Sequence, residues 1–527
     1  MLRRTFLGGA AVAATSPLAL PAFGQSRART LTFVPSAPLT ALDPIWTTAA
    51  VTRVHGYLVF DSLFGMDTDF KPRPQMAAGA SIGDEGLTWT VTVRSGLTFH
   101  DGQTVRARDC VASLRRWMKR SPMGQKLESV LDELSAPDDA TLRFRLKRRF
   151  PQLLEALAAV GPQALIMPER LASTSPFEQV KEVVGSGPYS FRADEFISGT
   201  RAVYQRFEGY VPTPDTGRGL TAGPKVANFD RVIWNMIPDP ATAAAALQAR
   251  EVDWYEQIAP DLTDLLRRNK NLVVEKLDRF PLVAGLRFNQ LTTPFDSKLV
   301  RQAILPAISQ EDVALSIAGD NPGFWMADVG VFTPGTPSAS TAGLASVQGP
   351  RDFALAKRLL KEAGYNGQPL RQLSPTDLPS VTATSQVVTD VLQRLGFNLD
   401  LATSDWGTVV QRRGSREPLD KGGWSVFCTT FSWFEFADPA VNVALRGNGK
   451  DAYFGWPTAP RLEELRESWF DAPSDAARKS TTEEIQKVAM EELPFVPLGG
   501  AFVTTAYNRN LVDRITALPL FWSIRRV

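Results

Sequence analysis

The sequence predicts an α/β protein of more than one domain, and three observations carry that prediction. The chain has 527 residues, 44% hydrophobic and 22% charged, ordinary globular values at a length that favours several domains. LTWTVTV (87–93) alternates apolar and polar residues with the period of a half-buried strand. DFALAKRLLKEAGY (352–365) and ATSQVVTDVLQRLGFNLDL (383–401) read as amphipathic helices. They close at Gly364 and Gly396 in the left-handed cap position, and the second runs on into a strand.

The elements follow in order. The first residues, MLRRTFLGGAAVAATSPLALPAFGQSRA, are set aside as an export leader, residues 1–27. Arg3-Arg4 ahead of Phe6-Leu7 suits the twin-arginine route, and Pro17 and Pro21 break an apolar run too short for a membrane span. Cleavage is expected near Gly24 or Ala28. The formal charge of +2 then falls to about 0, because Arg3 and Arg4 leave with no acid. No nucleic-acid footprint or polybasic membrane patch is implied. No cysteine follows the leader in lipid-anchor position, so a soluble exported protein is expected. Cys110 lies on the apolar side of a helix and reads as a small buried hydrophobe. A bridge to Cys428 remains an alternative in an oxidising compartment.

LTFVP (31–35) reads as a strand that ends in the loop SAPLTALDPIWTT. GYLVFDSLFG is strand or helix by periodicity alone. Ser95-Gly96 and Asp101-Gly102 mark the turns of a hairpin or meander with LTFH between them. A helix follows from about Ala107 to Lys119, and ATLRFRLK (140–147) is a strand. ATAAAALQAREVDW is an Ala-rich helix, and VAGLRFNQ a strand. PFDSKLVRQAILPAI is a helix capped by Asp296 or Ser297 and kinked at Pro306. The Pro-, Gly- and Ser-rich stretch 331–350 is a surface connection. No fixed-period repeat appears, which excludes solenoids and propellers.

Catalytic grammar is sparse. His55 and His100 are the only histidines; no G-x-S-x-G elbow, zinc-protease helix, paired-cysteine site or lysine-bearing phosphate loop occurs. GSGP (185–188) has glycines but no following Lys-Ser/Thr and reads as a tight turn. His100 at a hairpin turn reads as a structural hydrogen bond. One stretch stands out: TTFSWFEFADPA (429–440) sets Glu435 among Phe431, Trp433, Phe434 and Phe436. A carboxylate in that setting needs a partner.

Several stretches in register resemble the family 5 solute-binding proteins, the dipeptide-, oligopeptide- and nickel-binding components of ABC importers. They are LTFHDGQTVRARDCVASLRRW, VGSGPY (184–189), LQAREVDW, LRFNQLTTPFDSKLVRQAI (286–304), AKRLLKEAGY, LGFNLDLATSDW, FADPA and FVPLGGAF. Together they span essentially the whole chain after the leader. The resemblance implies a two-lobed periplasmic-binding-protein fold (type II, cluster C-like) with a double hinge and an extra inserted domain. Lobe I is then 28–57, 183–268 and 495–527, with 58–182 inserted into it, and lobe II is 269–494. It also implies a monomer in the Gram-negative periplasm with no cofactor. Its lobes close over a peptide, amine or related cationic solute, which passes to a membrane permease and its ATPase. An exported enzyme or a chemosensory binding protein on the same fold are the alternatives.

In dipeptide- and oligopeptide-binding members, an aspartate three positions before the acidic-Pro pair holds the ligand ammonium. Here the pair is Asp438-Pro439 and the position is Glu435, with Trp433 and Phe434 available for cation–π contact. The competing reading pairs Glu435 with a protein Arg or Lys, or with water; Asp438 itself reads as a turn or cap residue. Trp46, Thr47, Trp254, Tyr255 and Trp325 are further cleft candidates, each Trp equally suited to a core. The family's ligand-carboxylate arginine has no counterpart in LSPTDLPS, and Arg371, which lies nearby, is given no role. Two histidines without a cluster argue against direct metal coordination, so no metal ligand is assigned; a nickel chelate held by Arg and aromatic contacts stays within the range that the resemblance implies.

Overall fold

The computed structural model describes residues 29–527, apart from 218, 322, 473 and 517. Two large sheets organise the chain, one in each lobe. The first has seven strands in the order Tyr189–Phe191, Arg201–Arg206, Arg231–Asn235, Thr30–Val34, Trp254–Ile258, Thr504–Asn508 and Leu272–Lys276. Thr30–Val34 runs parallel to both of its neighbours, and the remaining pairs are antiparallel. The second has six strands: Trp325–Met326, Val496–Ala501, Leu282–Phe288, Val426–Phe431, Pro369–Pro375 and Asn398–Ser404.

The helix–glycine–strand pattern forms a parallel crossover in the second sheet. Pro369–Pro375 leads into the helix Pro379–Leu395, Gly396 stops it at φ 87°, and Asn398–Ser404 returns parallel to the first strand. Its amide closes on the carbonyls of Leu392 and Gln393, which a left-handed residue allows. The helix buries Val381, Val388, Val391, Leu392 and Leu395.

A third, four-stranded antiparallel sheet lies within 58–182: Ala77–Gly83, Thr88–Val93, Thr141–Leu146 and Leu131–Ser135. The alternation of LTWTVTV buries Trp89, Val91 and Val93 on one face. The helix Ala107–Met118 packs beside this sheet and buries Cys110, Leu114 and Trp117. Cys110 and Cys428 are both buried and free, so no bridge forms between them. The GSGP turn is a close crossing of backbones. The Gly187 amide donates to the Val59 carbonyl at 2.8 Å, and a Cβ at Gly185 would meet that oxygen at 2.1 Å.

Three sequence readings need correction. Pro306 ends its helix: Lys298–Ala303 gives way to a tight 3-10 turn, Leu305–Ala307, and a new helix starts after Ser309. Leu272–Lys276 belongs to the first sheet, because it pairs with Thr504–Asn508. Val496–Ala501 belongs to the second, because it pairs with Leu282–Phe288. The chain therefore crosses between lobes at 277–281 and again at 502–503, later than the boundaries at 268/269 and 494/495. No helix among the described residues is long and apolar enough to cross a membrane.

Candidate ligand-binding cleft

The two crossings border a cavity of about 110 Å3, which residues from both lobes line. The first lobe contributes Arg53 from the helix Ala50–Val59 and Glu256 from the strand Trp254–Ile258. Asp278 comes from the first crossing. The second lobe contributes Thr429–Trp433 and Glu435, from the end of the strand Val426–Phe431 and the turn after it, together with Arg413 and Tyr453.

Glu435 has its partner inside the protein. The turn Trp433–Glu435 is a capping box, so the Ser432 amide donates to Glu435 Oε2 at 2.9 Å, as a Ser-x-x-Glu spacing favours. Arg53 Nη2 donates to Oε1 at 2.8 Å from the other lobe. The Arg53 guanidinium also lies 4.7 Å from the Phe434 ring centroid and donates to the Thr48 carbonyl. The side chains of the pair are 8% and 11% exposed. A buried ion pair persists only when its remaining polar sites are satisfied, and here both carboxylate oxygens are. The cation that sequence reasoning left to a solute or to the protein comes from the protein, 382 residues away in the chain.

Three other cleft charges lack an opposite partner at ion-pair distance among the described residues. Arg413 caps the helix Trp406–Arg412 and is 2% exposed. Its Nη1 donates to the Tyr453 hydroxyl at 3.1 Å and its Nη2 to the Thr48 hydroxyl at 3.4 Å, while Nε is buried without a partner. It sits 4.7 Å from the Phe454 ring centroid. Glu256 accepts the Ser36 amide at 2.7 Å, and burial pushes its carboxyl up to about 7. Asp278 accepts the Phe280 amide at 3.1 Å, and burial raises it to about 7 as well.

Thr48, Arg413 and Tyr453 also border a second space, an outer groove of about 810 Å3. One wall comes from the first lobe and the segment 58–182 through Trp46, Thr47, Arg120 and Phe177. The other comes from the second lobe through Arg416, Lys450 and Trp456.

The sequence candidates divide accordingly. Glu435 and Trp433 line the inner cavity, and Phe434 lies under Arg53. Trp46 and Thr47 line the outer groove. Trp254 is a correction: it is fully buried in the first lobe, its indole donates to the Thr505 hydroxyl, and Phe33 and Phe521 pack on it. Tyr255 is another, pointing to the opposite face of the same strand and packing with Ala243 and Leu247. A central strand covered on both faces buries both alternations; the residue that reaches the cleft is the next one, Glu256. Trp325 is half-buried on the edge strand of the second sheet, away from the cavity lining. Arg371 pairs with Asp400 at 2.7 Å and with the Leu419 carbonyl, also outside it. Asp438 accepts the Ala440 and Val441 amides and shapes a turn.

Both histidines have structural partners. His55 is buried against the Tyr204 hydroxyl, and burial lowers its pKa to about 3. His100 donates from Nε2 to the Gly187 carbonyl and accepts the Gly185 amide on Nδ1. Sequence reasoning missed Arg53, Arg413, Glu256 and Asp278.

Two lobes, a chain that crosses twice and a charged cleft between them define a solute-binding protein of the periplasmic-binding-protein fold. The chain belongs to the bacterial extracellular solute-binding proteins, family 5, matching the family's middle region over residues 71–451. It is 38% identical over 493 residues, 93% of this chain and 92% of that protein, to the probable peptide ABC transporter periplasmic-binding protein y4tO of Sinorhizobium fredii (strain NBRC 101917 / NGR234). It is 26% identical to the glutathione-binding protein GsiB of Salmonella typhi, with 93% of each covered. The fold matches a dipeptide-binding protein from Pseudoalteromonas sp. SM9913, solved with Met-Leu, at a TM-score of 0.77 and 18% identity over 94% of this chain and all (100%) of that one.

Proposed function

We propose that this protein captures a small peptide-class solute between its lobes and delivers it unaltered to an ABC permease and its ATPase. The observation that carries the reading is Arg413: a guanidinium 2% exposed, lining the cleft, with no carboxylate at ion-pair distance among the described residues. A buried charge of this kind is costly without an anion. A solute carboxylate supplies one and gains a charge-assisted hydrogen bond. Arg413 thus takes the role that LSPTDLPS leaves vacant. The kinship to y4tO, named as a peptide transporter's binding protein, agrees with a peptide-class solute.

In this reading residues 1–27 are a twin-arginine leader that sends the chain to the periplasm. The lobes hinge at 277–281 and 502–503, and they close because the solute binds the closed arrangement better than the open one. Residues 58–182 form the inserted domain of the first lobe, and the protein acts as a monomer.

The test has two parts. Mass spectrometry identifies what co-purifies with the protein, and the same compound is then added back to the ligand-free form. A true solute raises the melting temperature, reduces the radius of gyration in X-ray scattering and is recovered chemically unchanged. A compound that returns as product, or one that binds without any compaction, overturns the proposal.

A further inference from the structure

The cleft is electrically polar along its length. Its inner cavity holds Glu256 and Asp278 without a cationic partner at ion-pair distance among the described residues, while Arg53 and Glu435 cancel each other. Its outer groove holds the reverse. Arg120, Arg416 and Lys450 line it with no carboxylate at ion-pair distance among the described residues, and Arg413 stands where the two spaces meet. Lys119 and Arg446 also line the groove but are already paired, with Glu128 at 2.5 Å and Glu463 at 3.3 Å. Among the groove's lining acids, only Asp451 is left without an ion-pair partner.

The groove guanidiniums are built for anions. Arg120 lies 5.4 Å from the Phe177 ring centroid, Arg416 lies 5.1 Å from that of Trp456, and Arg413 rests near Phe454. Arg120 Nη2 is braced by the Trp46 carbonyl at 2.7 Å, and Arg416 Nη2 by the Lys450 carbonyl at 2.6 Å. An arginine stacked on a ring and fixed through one nitrogen keeps other N–H donors for a planar carboxylate.

From this polarity we infer that the solute is an acidic short peptide bound in one direction. Its ammonium enters the inner cavity at Glu256 and Asp278, its first carboxylate meets Arg413, and further carboxylates lie in the outer groove. The inference rests on the peptide-class reading above and adds to it both the charge class of the solute and its orientation. It also moves the ammonium subsite away from Glu435, whose oxygens Arg53 and Ser432 already occupy.

The experiment is calorimetry on the full mature protein with Ala-Glu-Glu, Ala-Gln-Gln, Ala-Lys-Lys and N-acetyl-Ala-Glu-Glu as probes. Affinity is expected to fall in the order acidic, neutral, basic, by about tenfold or more at each step. Acetylation is expected to cost a similar factor. R416E combined with K450E, both exposed positions, should weaken Ala-Glu-Glu more than Ala-Gln-Gln and so close the gap between them; an equal loss for both probes counts against the acidic-peptide inference. E256Q with D278N should erase the effect of acetylation, whereas E435Q should not. Equal affinity for acidic and neutral probes, or indifference to acetylation, overturns this inference and leaves solute capture standing. If no peptide binds while a co-purified non-peptide closes the lobes, the peptide reading falls and this inference falls with it.

Discussion

Arg53 Nη2 and Glu435 Oε1 meet at 2.8 Å across the cleft, one from each lobe. The contact joins the lobes in this arrangement, alongside the ion pair of Lys126 with Glu467 and the hydrogen bond from Arg446 to Gln125 at 2.8 Å. It exists only while the lobes are together, so it biases the hinge. In the open form both groups would regain water, and each lobe would keep its own core.

The first prediction concerns that pair. Arg53→Ala leaves Glu435 buried and uncompensated in the closed arrangement, at a cost of roughly 3 kcal/mol. Opening relieves it. The ligand-free variant should therefore show a larger radius of gyration than the parent, while its melting temperature changes little. A variant that loses melting temperature but keeps the parent's scattering curve would assign the pair to folding instead of closure.

Arg413 gives the second prediction. Replacing a buried, acid-free guanidinium by a hydrophobe of similar length removes a desolvated charge, and such replacements are often neutral or stabilising. Arg413→Met should match or exceed the parent in urea stability. It should also bind a carboxylate-bearing solute about 10- to 100-fold more weakly, the range for one hydrogen bond to a charged group. Urea titration and calorimetry on the same preparation check both halves. Parallel loss of stability and binding would make Arg413 a structural residue.

Much of the architecture was legible because it lies in local pattern. Gly396 stops a helix, LTWTVTV alternates, and the family stretches recur in order along the chain. Glu435 was legible as a residue that needs a partner because a carboxylate among aromatics contradicts simple burial. Arg53 was not, since its partner lies 382 positions on and no spacing rule links them. Arg413 was hidden by its place at a helix C-terminus, where basic residues are ordinary. Glu256 was hidden by its neighbours: Trp254 and Tyr255 drew notice for size, whereas the strand's register shifts between Tyr255 and Ile258 and the next side chain reaches the cleft. The lobe boundaries slipped for a similar reason, because strand pairing between distant segments decides which sheet a strand joins.

The third prediction tests the glycines of GSGP. A Cβ at Gly185 would stand 2.1 Å from the Val59 carbonyl oxygen, and one at Gly187 would meet the Leu58 oxygen at 2.7 Å. Both obstacles are backbone, so neither yields cheaply. Gly185→Ala should lower stability by about 3 kcal/mol or more, in the range of severe overpacking. Urea denaturation measures it. A neutral Gly185→Ala would mean that the turn and the helix Ala50–Val59 do not approach as closely in solution.

The fourth prediction is a pH dependence with a definite sign. Glu256 has a folded pKa of about 7 against an ordinary 4.5, and Asp278 about 7 against 3.8, both raised by burial. Below the ordinary values both states hold these protons, and the groups do not affect stability. Between there and about 7 the unfolded chain has released them while the folded chain retains them, so the folded state binds more protons and stability falls as pH rises. Above about 7 both are ionised and the loss is complete, amounting to roughly 3 kcal/mol for Glu256. Urea stability measured from pH 4 to pH 8 should therefore decline through this window, and Glu256→Gln should flatten part of the decline. An ammonium bound beside these carboxyls favours their ionised form, so solute binding near pH 7 should release protons. Calorimetry in buffers of different ionisation enthalpy reads that release directly. Proton uptake on binding, or a heat independent of buffer, would remove Glu256 and Asp278 from the solute's ammonium.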